Sequence, residues 1–513
     1  NICSQQFVII LNQRCFRSTS YIMARNDRHQ RITSLLDELN DKQKCRVKNK
    51  HGWIYDNEVE VFVRSIPKVE LHVHLDGSFD PILLKSHLDR DMELHGEEMS
   101  SCVTYDDEVV PPSLFNHIPT HTTLPWDNSK FPVRSQILSA IGSEKSIDPF
   151  FALCTCRRDS NNKNSLYEMI KCFEIFVPIV RGNLDLLESL SYDLCKRQKE
   201  QNIIYTEVRY CPHLLATNGS FNKTSLDVDP IPVIDAVTRG LRKGQVDFDI
   251  IVNQIFCGLS WRPDWSDEIV TLASERTNAY PCAVVGIDIA AGEEHFDSKT
   301  YPDLHTAHLG AFQRAQNMGL NVTMHAGEVD YGAGQGTGSE NVKTAVEKYN
   351  AKRIGHGYRV VQSSSIMEEL RNRIVHFEVC PTSSVETGGW DYKSNEPDNV
   401  LLESSSNKSR VRKDWKSHPA VTMIKAGLSV GFNSDDPSVF DTSLTWQLRT
   451  AICKMELTSD QIVKSMFDSI DASFANDQIK KNLRKRLDKF LFDYRTHLGN
   501  PSLHHCIICR EED

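Results

Sequence analysis

The sequence predicts an α/β fold of the TIM type, a parallel (β/α)8 barrel with an N-terminal extension, insertions and extra C-terminal helices. Strand-like runs alternate with mostly helix-sized spacers between residues 67 and 432, which is typical of a parallel sheet covered by helices. A doubly wound open sheet usually carries a glycine-rich phosphate turn after its first strand, and no such turn is found here. We therefore prefer the barrel to the open sheet.

The first strand shows the clearest alternation. Val69, Leu71 and Val73 fall on one face, and His72 and His74 on the other, as the two-residue period of a strand requires. The later strand-like runs are residues 203–209, 248–255, 283–290, 321–324, 353–355, 374–379 and 428–432. With the first strand they supply the eight strands that the barrel needs.

Helical patterns and composition assign the rest of the chain. One helix is predicted around 166–201, and one or two helices follow residue 457. The predicted domain bounds are an N-terminal extension at 1–65, expected to be flexible, a barrel domain at 66–490, and a tail at 491–513. Two insertions are expected inside the barrel domain, a proline-bearing one near 91–162 and a Ser-, Asn- and Lys-rich one near 394–417.

The overall composition of the chain argues against some classes of binding partner. The 513 residues carry a formal net charge of -10 at pH 7, and 40% are hydrophobic, which fits a globular protein with a sizeable core. A mildly acidic chain is a poor binder of nucleic acid, and no run approaches the ~20 apolar residues of a membrane span. The 15 cysteines lack regular spacing, which favours reduced thiols and a cytoplasmic location over secretion. The oligomeric state stays open, and a monomer is compatible with the sequence.

The first chemical motif is His72-Val73-His74, near the end of the first strand. Residues two apart along a strand lie ~6–7 Å apart on one side, so both imidazoles can reach one metal ion. Asp76 follows on the same face. Taken alone, the histidine pair is equally consistent with two partly buried structural histidines.

Three further motifs follow later strands, and they contain His325 with Glu328, His356 between two glycines, and the adjacent Asp435 and Asp436. Each has a structural alternative. Glu328 could cap the next helix, His356 could be an ordinary buried histidine, and the aspartates could form a capping turn. Together, however, the motifs follow the carboxyl ends of separate strands, which is where a barrel places its active site.

The donor types of these motifs suit zinc. Imidazoles with a carboxylate are a borderline-soft set, and a site with room for water is catalytic rather than structural. Zinc lowers the pKa of a bound water to about 7. We expect one zinc ion, with one of the histidines left free to orient the nucleophile. A carboxyl group in an apolar barrel mouth is kept in its acid form by desolvation, as a general acid requires.

Six segments together resemble the adenosine and AMP deaminase family of metal-dependent hydrolases. They occur in the family's order and are PKVELHVHLDGS (67–78), YTEVRYCPHLLA (205–216), MHAGEV (324–329), RIGHGY (353–358), HFEVCPTSS (376–384) and NSDDP (433–437). The resemblance implies zinc-dependent hydrolytic deamination of adenosine and 2′-deoxyadenosine to inosine and ammonia, in purine salvage.

The resemblance also implies the metal ligands and the catalytic residues. The residues that match the zinc ligands are His72, His74, His325 and Asp435. Glu328 matches the acid that protonates purine N1, and His356 with Asp435 matches the pair that orients the attacking water.

Substrate contacts follow from the same resemblance. His74 is expected to border the substrate, Asp76 matches the partner of the ribose 5′-hydroxyl, and Asp436 matches the partner of N7. The family's Asp-Leu-Ala-Gly-Asp-Glu run appears here with one extra residue, as Asp-Ile-Ala-Ala-Gly-Glu-Glu. The backbone N–H that meets N3 therefore belongs to Ala291 or Gly292, and we assign it to Gly292 by residue type.

Two other functions stay open at this point. One is a deaminase of adenine, AMP or an N6-substituted nucleotide, although a carboxylate at Asp76 would repel a 5′-phosphate. The other is a non-catalytic binding or signalling protein on the same barrel, although no member of the ligand and acid set is missing.

Overall fold

The computed structural model describes residues 47–49, 52–54, 56–95, 103–105, 108–110, 118–142, 147–156, 165–216, 228–329, 337–390 and 415–498. The chain divides into two compact units, Asn1–Val61 and Phe62–Asp513. The described part of the first unit holds an antiparallel hairpin, Val47–Asn49 with Gly52–Ile54, and most of a helix that crosses the boundary. The rest of the predicted extension lies outside the described residues.

The second unit is built on an eight-stranded parallel sheet whose spatial order is its chain order. Its strands are β1 (Lys68–His74), β2 (Ile203–Tyr210), β3 (Ile251–Leu259), β4 (Val284–Ala290), β5 (Asn321–Ala326), β6 (Arg353–His356), β7 (His376–Val379) and β8 (Ser429–Phe432). Each strand pairs in parallel with the next, and helices surround the sheet. The predicted (β/α)8 barrel is confirmed.

The segment after β8 closes the barrel against β1. Val73 and Asp435 form a parallel bridge, in which His74 N–H donates to Asp435 O at 2.9 Å and Asp435 N–H donates to His72 O at 3.1 Å. The side-chain Oδ1 of Asn433 accepts from two N–H groups of β1, at 2.8 and 3.0 Å. The last motif of the sequence is therefore joined to the first by backbone hydrogen bonds.

Most of the helices lie between successive strands along the chain. The described helices are α1 (Asp56–Ser65), α2 (Pro81–His95), α3 (Arg134–Gly142), α4 (Asp148–Cys154), α5 (Ser165–Val180), α6 (Leu184–Glu200), α7 (Pro212–Leu215), α8 (Ile231–Phe248), α9 (Pro263–Glu275), α10 (Pro302–Asn317), α11 (Thr337–Glu347), α12 (Ser364–Asn372), α13 (Pro381–Glu386), α14 (Pro419–Lys425), α15 (Leu444–Cys453), α16 (Ser459–Ala472) and α17 (Asp477–Leu498). Short 3-10 turns cover Asp76–Ser78, Glu294–Phe296, Tyr358–Gln362 and Trp415–Ser417. Among the residues described, no helix is long and apolar enough to cross a membrane.

Two local predictions were wrong. The single helix predicted around 166–201 is two helices, because Gly182 has a φ of 71° and the side chain of Asn183 caps α6 by accepting from Leu186 N–H at 3.1 Å. The third strand begins at Ile251 rather than at 248, because α8 continues to residue 248 and Asp249 ends it in a left-handed conformation. Turn chemistry overrode periodicity in both places.

The insertion predicted near 91–162 contains several described elements. These are the hairpins Val103–Tyr105 with Glu108–Val110 and His121–Thr123 with Lys130–Pro132, followed by α3 and α4. Most of the loop predicted near 394–417 lies outside the described residues, and α17 runs past residue 490 to Leu498. The domain bounds themselves stay predictions.

Candidate active site

Four of the predicted residues meet at the carboxyl end of the barrel. His72, His74, His325 and Asp435 are all buried, and each offers one ligand atom within 4.8 Å of the others. The shortest separations are 3.0 Å from His72 Nε2 to Asp435 Oδ1, 3.3 Å between the Nε2 atoms of His74 and His325, and 3.6 Å from His74 Nε2 to Asp435 Oδ1.

This cluster has the properties of a metal site. His72 Nε2 is buried without a hydrogen-bond partner among the described residues, although Asp435 Oδ1 lies 3.0 Å away. If both rings carry their proton on Nδ1, the Nε2 lone pairs of His74 and His325 face each other at 3.3 Å, and a cation between them would relieve their repulsion. Three nitrogens and one carboxylate oxygen are a donor set that zinc accepts. The residues present therefore fit a bound zinc ion.

A second group of metal-binding side chains shares Asp435 and adds His356 and Cys380. Burial raises the pKa of the Cys380 thiol well above its ordinary value, and a protonated thiol is a poor ligand. The histidine-rich set is the better metal site.

Backbone geometry brings two of the site residues into place. His356 and Asp435 both have a φ of 64°, in the left-handed region that few non-glycine residues adopt and that is found at functional sites. Gly355 is required for a different reason, because a Cβ at this position would lie 2.9 Å from Cε1 of His72. Two residues with unusual backbone conformations and one sterically required glycine thus lie at the site.

A buried charge network supports the histidines from behind. His72 Nδ1 lies 2.9 Å from Glu378 Oε2, and His325 Nδ1 lies 2.9 Å from Asp288 Oδ2. The guanidinium of Arg209 donates to Asp288 at 2.8 Å and to Glu378 at 2.7 Å. Carboxylates that hold the second nitrogen of a ligand histidine set its tautomer and its orientation. Arg209 therefore ties both supporting carboxylates together.

Sequence reasoning did not assign these supporting residues. Arg209, Asp288 and Glu378 each lie inside a fully buried strand, and a charged residue in a buried strand is a signal that needs a partner. The signal was present, but the partners lie on strands far apart in the sequence. Arg209 and Glu378, for example, are separated by 169 positions.

Glu328 and His356 lie beside the metal cluster. His356 Nε2 is 3.7 Å from Glu328 Oε2 and 3.8 Å from Asp435 Oδ2. Glu328 lines a cavity, and the next described helix, α11, begins only at Thr337. Glu328 is thus placed with its carboxyl group toward the site, as the acid role requires.

One cavity joins these residues to the predicted substrate contacts. It measures about 860 Å³, including the space open to solvent, and it is lined by Asp76, Glu328, His356, Asp435 and Asp436 together with apolar residues of α5. The Oδ1 atoms of Asp76 and Asp436 are buried there without a hydrogen-bond partner among the described residues. Buried polar atoms without partners are rare and destabilising, so these oxygens are available to form hydrogen bonds with a ligand.

The N3 contact assigned to Gly292 stays a prediction. Ala291 lines the cavity, whereas Gly292 is not among its lining residues. Ala291 has a φ of 82°, and a Cβ at Gly292 would lie 1.9 Å from Glu294 Oε2. The extra residue in this turn therefore places Ala291 rather than Gly292 on the cavity wall.

The carboxyl groups of the site divide by environment. Burial and the nearby Asp435 raise the pKa of Glu328 to about 8, and burial raises the pKa of Asp76 to about 7. Burial alone would also raise the pKa of Asp288 and of Glu378, but His325 and Arg209 hold the first below its ordinary value, and Arg209 with Arg353 holds the second well below it. Glu328 therefore favours its acid form, whereas the carboxyl groups behind the histidines are anions. Asp435 also lines the cavity but is an anion, because His356 and His72 hold its pKa well below the ordinary value.

Comparison with known proteins supports a deaminase. The model of the family described as adenosine deaminase matches residues 150–409 and 398–490. Adenosine deaminase of Xenopus laevis is 29% identical over 426 residues, which are 82% of this chain and 94% of that protein.

Solved structures support the fold. An amidohydrolase from Burkholderia ambifaria with bound Zn has a TM-score of 0.57 at 19% identity, covering 89% of this chain and 99% of that one. The Arabidopsis N6-mAMP deaminase has a TM-score of 0.55 at 20% identity, covering 83% of this chain and 99% of that one. At these identities the likeness is one of fold.

Proposed function

Because the chain belongs to the adenosine deaminase family, we propose that it hydrolyses adenosine, and 2′-deoxyadenosine, to inosine and ammonia with one zinc ion. The observation that carries this proposal is the position of Glu328 and His356. Both line the cavity beside the four metal-binding side chains. A proton donor, a water-orienting imidazole and a metal site thus share one cavity, which is the combination that hydrolytic attack on a purine requires.

The roles of the protein's own groups follow from their positions. His72, His74, His325 and Asp435 would hold the ion, which when bound would supply a water of lowered pKa. His356 lies where it can orient that water and hold its proton at Nε2, 3.8 Å from Asp435 Oδ2. Glu328 donates a proton to purine N1, which makes C6 electrophilic. The water oxygen would then bond to C6. One water proton, held meanwhile at His356 Nε2, would pass to the C6 amino group as the C6–N bond breaks and ammonia leaves, and the other would return to Glu328.

Carboxyl groups also select the substrate. Asp436 can face purine N7, donating from its acid form, because burial and the nearby Asp435 raise its pKa well above the ordinary value. Asp76 lines the same cavity and offers an acceptor to the ribose 5′-hydroxyl. Because Asp76 offers a buried acceptor to a hydroxyl group and, where it is ionised, would repel a 5′-phosphate, an uncharged nucleoside is the substrate that we propose.

A deaminase of AMP or of an N6-substituted nucleotide is the second candidate. The observation in its favour is Arg181, which lines the cavity and belongs to the residue type that best recognises phosphate. Its Nε donates to the carbonyl of Leu214 at 3.0 Å, and Glu174 lies on the same cavity wall. These neighbours already use part of the guanidinium's capacity, so we rank this candidate second.

A metal analysis coupled to a substrate panel tests the proposal. The purified chain is assayed by ultraviolet absorbance with adenosine, adenine, AMP and N6-methyl-AMP, and its metal content is measured by mass spectrometry. We expect zinc near one equivalent, with the highest kcat/KM on adenosine. A higher kcat/KM on either phosphorylated substrate would overturn our interpretation of Asp76.

We also propose a cytoplasmic location. The nine cysteines within the described ranges are all free, and reduced thiols are typical of that compartment. Localisation of a fluorescent fusion of the full chain tests this proposal, and secretion into the medium would contradict it.

A further inference from the structure

A second cavity adjoins the catalytic cavity, and its walls are aromatic. Trp126 and Tyr167 lie in it with their rings stacked, at a centroid distance of 4.9 Å and an interplanar angle of 20°. Trp261 meets Trp126 edge to face at 6.4 Å. We call this space, which Tyr301 also lines, the aromatic cavity; it measures about 1400 Å³ including the space open to solvent.

Helix α5 and Trp261 separate the two cavities. Leu166 and Ile170 face the catalytic cavity from one side of α5, and Tyr167 and Lys171 face the aromatic cavity from the other. Trp261 lines both. A ligand in the aromatic cavity is therefore one side chain away from the catalytic cavity.

Hydrogen bonds hold the wall between the cavities in place. Glu294, which is buried, accepts from Tyr167 OH at 3.0 Å and from Ser260 Oγ at 2.9 Å. These bonds join the first turn of α5 to the segments that follow β3 and β4. Because the hydrogen bond of its hydroxyl group already fixes the ring of Tyr167, a ligand that stacks on this ring would lose little side-chain entropy on binding.

The charge of the aromatic cavity restricts the ligand. Its acidic side chains are Asp127, Glu168, Glu294 and Asp303, and its one basic side chain among the described lining residues is Lys171, which pairs with Glu168. Such a wall disfavours phosphate and favours a neutral ligand with O–H and N–H donors. Aromatic side chains bind nucleobases by stacking, and they do so without a sequence preference.

We propose that the aromatic cavity is a second subsite for an uncharged purine nucleoside, which stacks there before it enters the catalytic cavity. The proposal rests on the proposed function, because that function supplies the ligand class. The base lies against the rings of Trp126, Tyr167 and Trp261, and the ribose hydroxyls face the carboxylates.

Calorimetric titration with adenosine tests the subsite in the Glu328→Gln protein, in which turnover is expected to be blocked. We expect two binding events per chain. Trp126→Ala, added to this background, should weaken one event about fivefold or more, which is the low end of the contribution of one stacked ring. Trp446→Ala is the matched control, because Trp446 lies on α15 and lines neither cavity, so both events should persist.

Kinetics on the chain with Glu328 intact supply an independent measurement. Trp126→Ala should raise KM for adenosine while leaving kcat unchanged, since the ring contributes to capture rather than to chemistry. Trp126→Phe, which keeps a smaller ring, should give an intermediate KM. An intermediate value would show that the effect of Trp126→Ala comes from the lost ring rather than from misfolding.

The outcomes separate this proposal from the proposed function. A single binding event, or two events that Trp126→Ala leaves unchanged, overturns the subsite even when adenosine is turned over. Absence of adenosine deamination by the unmodified chain overturns the proposed function, whereas adenosine binding that depends on Trp126 still supports the subsite.

Discussion

Glu378→Gln is the substitution that most directly tests the charge network behind the histidines. The carboxylate is fully buried and accepts four hydrogen bonds: from His72 Nδ1 at 2.9 Å, Arg209 at 2.7 Å, Arg353 Nε at 2.6 Å and Thr323 Oγ1 at 2.9 Å. Glutamine has nearly the same shape but carries no charge, and its amide nitrogen cannot accept. At least one donor loses its acceptor, and both guanidinium groups lose a counterion.

The magnitude follows from burial. Removing one partner of a buried ion pair costs about 3–5 kcal/mol of folding stability, because the other charge is left uncompensated. The effect on the metal is separate. Loss of a carboxylate that orients a ligand histidine lowers metal affinity about 10- to 100-fold, or about 1.4–2.7 kcal/mol. Glu378→Gln should therefore weaken both folding and zinc binding.

Two measurements keep these effects apart. Urea unfolding of the chelator-treated protein reports stability without metal, and competition against a chromophoric chelator reports zinc affinity. Glu369→Gln is the control, because Glu369 also pairs with two cations, Lys343 and Arg373, but its side chain is 30% exposed. Partly exposed pairs contribute about 1 kcal/mol or less. If Glu378→Gln matched this control in both assays, the network would stabilise neither the fold nor the metal site.

Three further outcomes test the site and the fold. Glu328→Gln should keep its zinc but lose about 10²- to 10⁴-fold in kcat, the usual contribution of general acid catalysis; unchanged turnover would remove Glu328 from the acid role. Gly355→Ala should displace His72, whose Cε1 lies 2.9 Å from the added Cβ, and so lower the zinc content. Gly310→Ala is the control, because its added Cβ has nothing within 4 Å, and it should stabilise α10 by about 1 kcal/mol or less. Equal zinc contents in the two variants would contradict the role of Gly355. Burial lowers the pKa of His376 to about 3, so below its ordinary pKa of about 6.5 the unfolded chain binds a proton that the folded chain does not, and stability falls as the pH falls. Between pH 7 and pH 5 the free energy of unfolding, measured in urea, should fall by about 2 kcal/mol less in His376→Gln than in the unmodified protein. Equal decreases in the variant and in the unmodified protein would show that His376 is not responsible.

The four side chains of the candidate metal site could be predicted to meet because each position depends on a local rule. His72 and His74 share a face through the period of one strand, and His325 and Asp435 follow strands whose carboxyl ends meet in any parallel barrel. Neither rule needs the register between strands. Predicting that these four side chains meet therefore required only the assignment of the strands and their order in the barrel.

The supporting network could not be predicted in the same way. Arg209 reaches Asp288 on β4 and Glu378 on β7, so its partners depend on side-chain direction across the interior of the barrel. The stacking of Trp126 on Tyr167 depends in turn on the packing of the insertion against α5. The periodicity of a sequence shows which residues share a face of one helix or strand. It does not show which side chains of distant elements contact each other, and that information comes only from the three-dimensional structure.

Arg209 explains why identical residue types serve opposite purposes in this site. On its side of the histidines, Asp288 and Glu378 stay ionised, and each lies within hydrogen-bond distance of an imidazole Nδ1. A histidine that donates from Nδ1 keeps the lone pair of Nε2 for a metal ion. On the other side, burial and the nearby Asp435 outweigh the effect of His325 on Glu328, so the proton stays on its carboxyl group. Arg209, together with His325 and Arg353, thus keeps two carboxyl groups ionised behind the histidines, and we propose that Glu328, on the other side, holds a proton for the purine ring.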